Sequence, residues 1–191
     1  PDVSAYKPWV KLGIEMLVLD DGWFREKRDD DRHSLGDWQP NERKLSGTIR
    51  QLSDAIHAEG MKFGLWFEPE MVSRDSNLFR AHPDWAIQCP SRDMSYIRYQ
   101  YMLDFSRPEV VDYIYNEISA TIEAANMDYM KWDANREMTE VGSLAWPPER
   151  QGEILHRYML GLYTLLERIT TAFPDVLFEG CAGGGGRFDA G

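Results

Sequence analysis

The residues best equipped for chemistry stand in short clusters, each directly after an apolar run: LDDGWF at Asp20 and Asp21, LWFEPE at Glu68 and Glu70, KWDANR at Lys131, Asp133 and Asn135, and FEGCAGGGG at Cys181, Gly183 and Gly184. The KWDANR segment is the most informative. Met130 and Trp132 alternate with Lys131 and Asp133, so in an extended strand the lysine and the aspartate share one face, with Asn135 continuing it. A lysine ammonium beside Asp133 favours its ionised form, which is what a carboxylate nucleophile needs at neutral pH. The structural alternative is a buried ion pair that only holds the strands together. Asp20 and Asp21 can accept charge-assisted hydrogen bonds from sugar hydroxyls, with Trp23 available to stack on a pyranose face. A turn pair is the plainer use of Asp-Asp-Gly. With Glu68 and Glu70, the two aspartates also offer an oxygen-rich site for Mg²⁺ or Mn²⁺. Trp66 in its strand reads as core, and Arg98 in YIRYQY as a solvated or stacked surface group. The glycine run lacks the Lys-Ser/Thr of a phosphate loop, although glycines in succession allow close backbone approach to a ligand. Cys181 has no histidine near it in sequence, so a small packed thiol is a simpler reading than a nucleophile.

Four strands are needed to carry these clusters, and the apolar runs place them at Glu15–Leu19, Lys62–Phe67, Met127–Trp132 and Val176–Glu179. Between them lie helical repeats, the alternation expected of a parallel sheet with helical crossovers. Ile49, Leu52 and Ile56 predict a helix over about 47–59 that ends at Gly60. Ser106 and Glu109 have capping-box spacing around Pro108, and Val111, Ile114, Ile118, Ile122 and Ala125 then repeat every three or four residues. A third helix over 149–172 puts Ile154, Leu155, Tyr158, Met159, Leu162, Leu165, Leu166 and Ile169 on one face, before Pro174. Tyr101–Phe105 is extended but ambiguous. The polar clusters all fall at the carboxyl ends of the strands, where parallel barrels and doubly wound sheets bind their ligands. A closed barrel typically takes about 250 residues. With four or five βα units in 191 residues, no initiator Met and a stop just after a strand, the expectation is the central portion, residues 1–191, of one (β/α)8 barrel truncated at both ends.

Composition narrows the partners. Asp and Glu outnumber Lys and Arg by 32 to 21, a net charge of −11, which repels nucleic-acid phosphates and anionic lipid headgroups while tolerating neutral hydroxylated ligands. At 43% hydrophobic and 28% charged residues the chain can bury a core, so disordered and coiled-coil classes are excluded. Cys89 and Cys181 are too few for a disulfide framework, and no window approaches the roughly 18 apolar residues of a membrane span. With no secretory signal in view, a cytoplasmic enzyme is expected.

Taken in order, LDDGWF, GLWFEPEM, YMLDFSRPEV, YMKWDANR and CAGGGGRFD resemble glycoside hydrolase family 36, the microbial α-galactosidases of clan D, over nearly the whole chain. The resemblance implies a (β/α)8 barrel that releases terminal α-linked galactose from raffinose-type oligosaccharides with retention of configuration, using neither metal nor cofactor. It implies Asp133 as nucleophile, Lys131 and Asn135 as sugar contacts, Asp20 and Asp21 as the pair on the outer galactose hydroxyls, and Trp66, Arg98, Cys181, Gly183 and Gly184 as pocket walls. It also implies a homo-oligomer, since family members often form tetramers. Ala182 stands where a Ser is frequent and Ala134 where a Met is common. The family's acid/base Asp belongs to a Trp-Thr-Ser-Asp-like segment beyond Gly191, and Asp189 does not match it. The 191 residues alone are therefore expected to be inactive. A galactosyl-transferring enzyme or an α-N-acetylgalactosaminidase of the same fold, and a metal-dependent barrel enzyme, remain as alternatives.

Overall fold

The computed structural model of the protein describes residues 2–183. Its framework is a parallel sheet of β1 (Met16–Leu19), β2 (Lys62–Phe67), β5 (Tyr129–Trp132) and β6 (Leu177–Gly180), adjacent in that order. α1 (Lys7–Lys11) precedes β1, and the connections carry α2 (Glu42–Leu45), α3 (Ile49–Ala58), α4 (Asn77–Ala81), α5 (Pro108–Ala125) and α6 (Ile154–Ala172), plus a small antiparallel pair, β3 (Met71–Val72) with β4 (Tyr101–Met102). Parallel strands taken in chain order, each crossing over through helix, form an arc of a (β/α)8 barrel. No helix among the described residues is long and apolar enough to cross a membrane.

The register assigns the two faces of the sheet. Val18, Gly64, Tyr129 and Leu177 lie side by side, and one step of two residues further on Trp66, Lys131 and Glu179 do the same. Alternate residues turn the other way, and Phe63, Leu65, Phe67, Met130 and Trp132 are buried on that side. α5 and α6 supply matching stripes: Val111, Ile114, Ile118 and Ile122 on one, Ile154, Tyr158, Leu162, Leu165 and Ile169 on the other, all buried. Each large apolar side chain so buried stabilises the fold by roughly 1.5–3 kcal/mol.

Local sequence explains the helix ends. α3 has a reciprocal capping box, with Gln51 N–H donating to Thr48 Oγ1 at 3.1 Å and Thr48 N–H to Gln51 Oε1 at 2.9 Å. It stops where expected, at Gly60 with φ +84°. The capping box expected at Ser106 and Glu109 does not form. α5 begins at Pro108 with Arg107 as its N-cap. The Ser106 hydroxyl donates instead to the buried Asp104 carboxyl at 2.5 Å and accepts from Trp146 Nε1 at 2.9 Å in place of a helix N–H, and Glu109 accepts from Arg107 Nε at 2.8 Å. Two further expectations are corrected. Residues 148–153 form a 3₁₀ turn ahead of α6, and Leu155, expected on the helix's apolar face, is 53% exposed. The ambiguous Tyr101–Phe105 piece contributes β4, outside the parallel sheet.

α6 approaches the loop before α5 so closely that a Cβ on Gly161 would lie 1.9 Å from the Phe105 carbonyl oxygen, whereas one on Gly152 would meet nothing within 4 Å. Gly161→Ala is therefore expected to lower the unfolding free energy by about 1–3 kcal/mol or more, and Gly152→Ala to leave it within about 0.5 kcal/mol. Urea denaturation of both variants checks the contrast.

Candidate active site

Asp133 is the first residue past β5. Its backbone N–H donates to the Phe67 carbonyl at 2.7 Å, which continues the sheet by one bond, and the residue is only 6% exposed. Its carboxylate is surrounded by donors. Oδ2 accepts from Trp66 Nε1 at 3.0 Å and Asn135 Nδ2 at 2.7 Å, and Oδ1 accepts from the Ala134 N–H at 2.9 Å. The Cys181 thiol contributes a further hydrogen bond. Burial pushes the Asp133 pKa upward, but the bonds from Asn135, Trp66, Cys181 and Ala134 together outweigh it and hold the group below its ordinary value. Asp133 is thus an ionised carboxylate in a nearly dry setting.

The expected shared face of Lys131 and Asp133 is realised, but not as a direct ion pair. Lys131 Nζ donates to Asp20 Oδ2 at 3.0 Å. That bond is the first cause of a raised lysine pKa, with the charges of Asp20 and Asp133 adding to it. What keeps Asp133 ionised is chiefly its hydrogen-bond donors. Asp20 is the outward member of its pair, with 65% of its side chain exposed. Asp21 turns toward Arg28, which grips it in a bidentate fork of 2.8 and 2.6 Å, and whose third arm donates to the His33 carbonyl at 2.9 Å. Arg28 itself is 3% exposed.

The remaining candidates divide. Trp66 is buried and serves Asp133 as a donor rather than forming an open wall. Cys181 joins the cluster from the end of β6, its N–H donating to the Trp132 carbonyl at 2.7 Å. Gly183 is exposed at φ +54°, and Gly184 and Asp189 lie outside the described residues. Arg98 is exposed at φ +50° and, among the described residues, makes no side-chain hydrogen bond or ion pair. Its turn is nonetheless tethered to the site, because Arg136 Nη1 donates to the carbonyls of Ser95 and Gln100 at 2.9 Å each. Trp23 is not available for stacking on a sugar. It is buried against Phe24 and Phe67, and its Nε1 donates to the Trp66 carbonyl at 2.9 Å.

The four carboxylates of the metal reading do not converge. Glu68 Oε1 accepts from the Asn135 N–H and from Gln100, and Glu70 accepts from Trp132 Nε1 at 3.0 Å and from the Tyr158 hydroxyl, so both are engaged in the interior. Among the described residues no three His, Cys, Asp or Glu side chains group in a way that would hold an ion. A cavity of about 500 Å³ lined in part by Arg25, Asp37, Asp75 and Arg80 includes neither Asp133 nor its partners. Sequence reasoning missed Arg28, Gln100 and Arg136. In REKRDD, Arg28 looks like any solvated charge, and its only signal is the acidic pair seven residues before it.

A parallel arc whose strand ends gather one ionised carboxylate and its donors is the arrangement of a barrel that does its chemistry at the carboxyl face. The chain matches the Melibiase family model over residues 4–191, and it belongs to that family. It is 57% identical over 189 residues to α-galactosidase AgaA of Geobacillus stearothermophilus, covering 99% of this chain and 26% of that protein. It is 54% identical over 181 residues to α-galactosidase 1 of Pediococcus pentosaceus, covering 95% and 25%. A crystal structure of a variant of AgaA, a glycoside hydrolase family 36 enzyme, in complex with raffinose superposes with a TM-score of 0.94 at 54% identity, covering 98% of this chain and 26% of that one. The chain thus spans about a quarter of the length of these relatives.

Two outcomes follow. Asp21→Ala strips a buried guanidinium of its partner and is expected to destabilise by about 3 kcal/mol, whereas Asp20→Ala breaks an exposed pair and costs less than about 1 kcal/mol. Urea melts separate them. Trp66→Phe removes one donor while keeping a buried ring, so the Asp133 pKa rises and its ionised form is lost at a higher pH than in the parent. Carbon-13 NMR titration of the Asp133 carboxyl reads that shift.

Proposed function

We propose that this chain supplies the nucleophile half of a retaining α-galactosidase acting on raffinose-type oligosaccharides. The observation that carries the reading is Asp133: ionised, almost buried, and oriented by four donors at the carboxyl face of the sheet. An Asp133 oxygen attacks the anomeric carbon while a second carboxyl, about 5 Å away in retaining enzymes, protonates the departing glycosidic oxygen. The bond to the leaving sugar breaks as the galactosyl ester forms. The second carboxyl, now a base, takes a proton from water, whose oxygen attacks the same carbon, releases galactose with its configuration retained, and restores the Asp133 carboxylate. Fixed negative charge at Asp133 and Asp20 favours the positive charge that develops on the ring in both steps. Lys131 and Asn135 stand beside Asp133 as donors to sugar oxygens.

The acid/base partner belongs, on this reading, outside the described residues. Glu68 does not qualify, because it is 2% exposed and its Oε1 already accepts two N–H groups. On this reading the described residues carry one member of the catalytic pair. The substrate class draws support from AgaA, whose variants have been solved in complex with raffinose and with stachyose.

The test uses the protein at the length of its relatives. A fluorinated α-galactosyl fluoride is expected to leave a covalent adduct that peptide mapping places on Asp133. Asp133→Asn is expected to cut turnover of raffinose by at least about 10³-fold. An adduct on another residue, or a variant that turns over like the parent, rejects the assignment.

A further inference from the structure

Glu68 is the carboxylate that the mechanism leaves unused, and its surroundings are unusually specific. Its Oε1 accepts the Asn135 backbone N–H at 2.6 Å and Gln100 Nε2 at 3.1 Å. From the same residue, Asn135 Nδ2 reaches Asp133 Oδ2 at 2.7 Å. Gln100 closes the turn that displays Arg98, its N–H donating to the Ile97 carbonyl at 3.1 Å. One glutamate oxygen therefore joins the segment after β5 to the segment before β4. Burial raises the Glu68 pKa, the bonds from Asn135 and Gln100 lower it, the charge of Asp133 raises it and that of Arg28 lowers it, with a net upward shift. Burying an acid beside another acid is costly. An apolar residue would be the cheaper filler if packing were all that was required.

We propose that Glu68 is a positioning residue for the nucleophile: by accepting the Asn135 N–H it fixes the chain just past β5, so that the Asn135 carboxamide is aimed at Asp133. The inference rests on the reading of Asp133 as nucleophile. Its physical basis is the short reach of an asparagine. With one methylene between backbone and amide, the direction of Nδ2 follows the orientation of the backbone, and a buried acceptor for the backbone N–H fixes that orientation, because leaving the N–H unpaired there is costly. A shift of about 1 Å in a group oriented at the reacting centre can cost about 100-fold in rate. Through Gln100 the same oxygen keeps the Arg98 turn in register with the nucleophile.

The test is a double-mutant cycle in the protein at the length of its relatives, with p-nitrophenyl α-galactoside as substrate and thermal melts as the folding control. Glu68→Ala is expected to lower kcat by about 100-fold with KM little changed. Glu68→Gln, whose amide oxygen still accepts both N–H groups, recovers most of the loss. In an Asn135→Ala background, Glu68→Ala lowers kcat no further, because the group it positions is already gone. If Glu68→Ala does not fold, Glu68→Met fills the same space without an acceptor and carries the same expectation. Unchanged kcat in the Ala or Met variant, or losses that simply add across the cycle, overturn the proposal. A second readout needs no turnover. The Asn135 side-chain amide protons are expected as a distinct, slowly exchanging NMR pair in the parent and in Glu68→Gln, collapsing in Glu68→Ala or Glu68→Met. If the parent fails to hydrolyse the galactoside, the functional reading falls and the amide resonances decide the positioning role. Identical resonances in all variants overturn it.

Discussion

A carboxylate that must stay ionised while almost fully removed from water sets the terms for the surrounding structure. Transferring such a group out of solvent costs several kcal/mol unless hydrogen bonds replace the lost hydration. For Asp133 the replacements come from three directions: Trp66 from β2, Ala134 and Asn135 from the segment past β5, and Cys181 from the end of β6. No single element could supply them. They meet because Trp66 and Lys131 are paired in register, as are Lys131 and Glu179, and the chain just beyond each pair converges on the same point. A slip of one residue would send every one of these side chains to the opposite face. The apolar burial beneath the sheet is what holds that register, so packing on the helix side and charge on the open side are two aspects of one constraint.

The FEPE segment shows how the two sides are joined. Glu68 and Glu70 follow β2 directly and both are buried, yet they engage different neighbours. Glu68 accepts from Asn135 and Gln100, on the nucleophile's side. Glu70 accepts from Trp132 and from Tyr158 of α6, on the helix side. Asp104 repeats the pattern with Ser106 and Ser143, tying the start of α5 to the loop that leads toward α6. Buried acids in this chain are each matched with donors drawn from distant segments, and networks satisfied in this way favour one arrangement over its near alternatives.

Much of this was legible in the sequence, and what was not has a common cause. Apolar runs placed the four strands of the sheet to within two residues at each end, and the alternation in YMKWD put Lys131 and Asp133 on one face as observed. Period marked α3, α5 and α6. The short helices α1, α2 and α4 have too few turns to show a period. Choice of partner was the larger gap. Lys131 meets Asp20 across 111 positions of sequence, and nothing local distinguishes that partner from Asp133 two residues away. Ser106 had the spacing of a helix cap, but its hydroxyl donates to Asp104 and accepts from Trp146 Nε1, forty residues further on. Trp23 had the composition of a stacking platform, and the aromatic cluster with Phe24 and Phe67 enclosed it. Competition in three dimensions decided each case, and spacing along the chain does not record it.

The same competition separates the two adjacent aspartates. Asp21 holds a buried guanidinium through two short bonds, a pairing that cannot be released without leaving Arg28 uncompensated in the interior. Asp20 is exposed, accepts the Asp21 N–H at 2.8 Å and meets Lys131 at 3.0 Å, and such exposed ion pairs contribute only about 0–1 kcal/mol. Under the proposed function, an arriving hydroxyl can replace that contact at small cost, since a sugar oxygen can donate to Asp20 while accepting from Lys131. Asp20 and Lys131 are therefore the exchangeable partners at the mouth. Asp21, exposed beside them, also ties the loop after β1 to the buried Arg28 guanidinium.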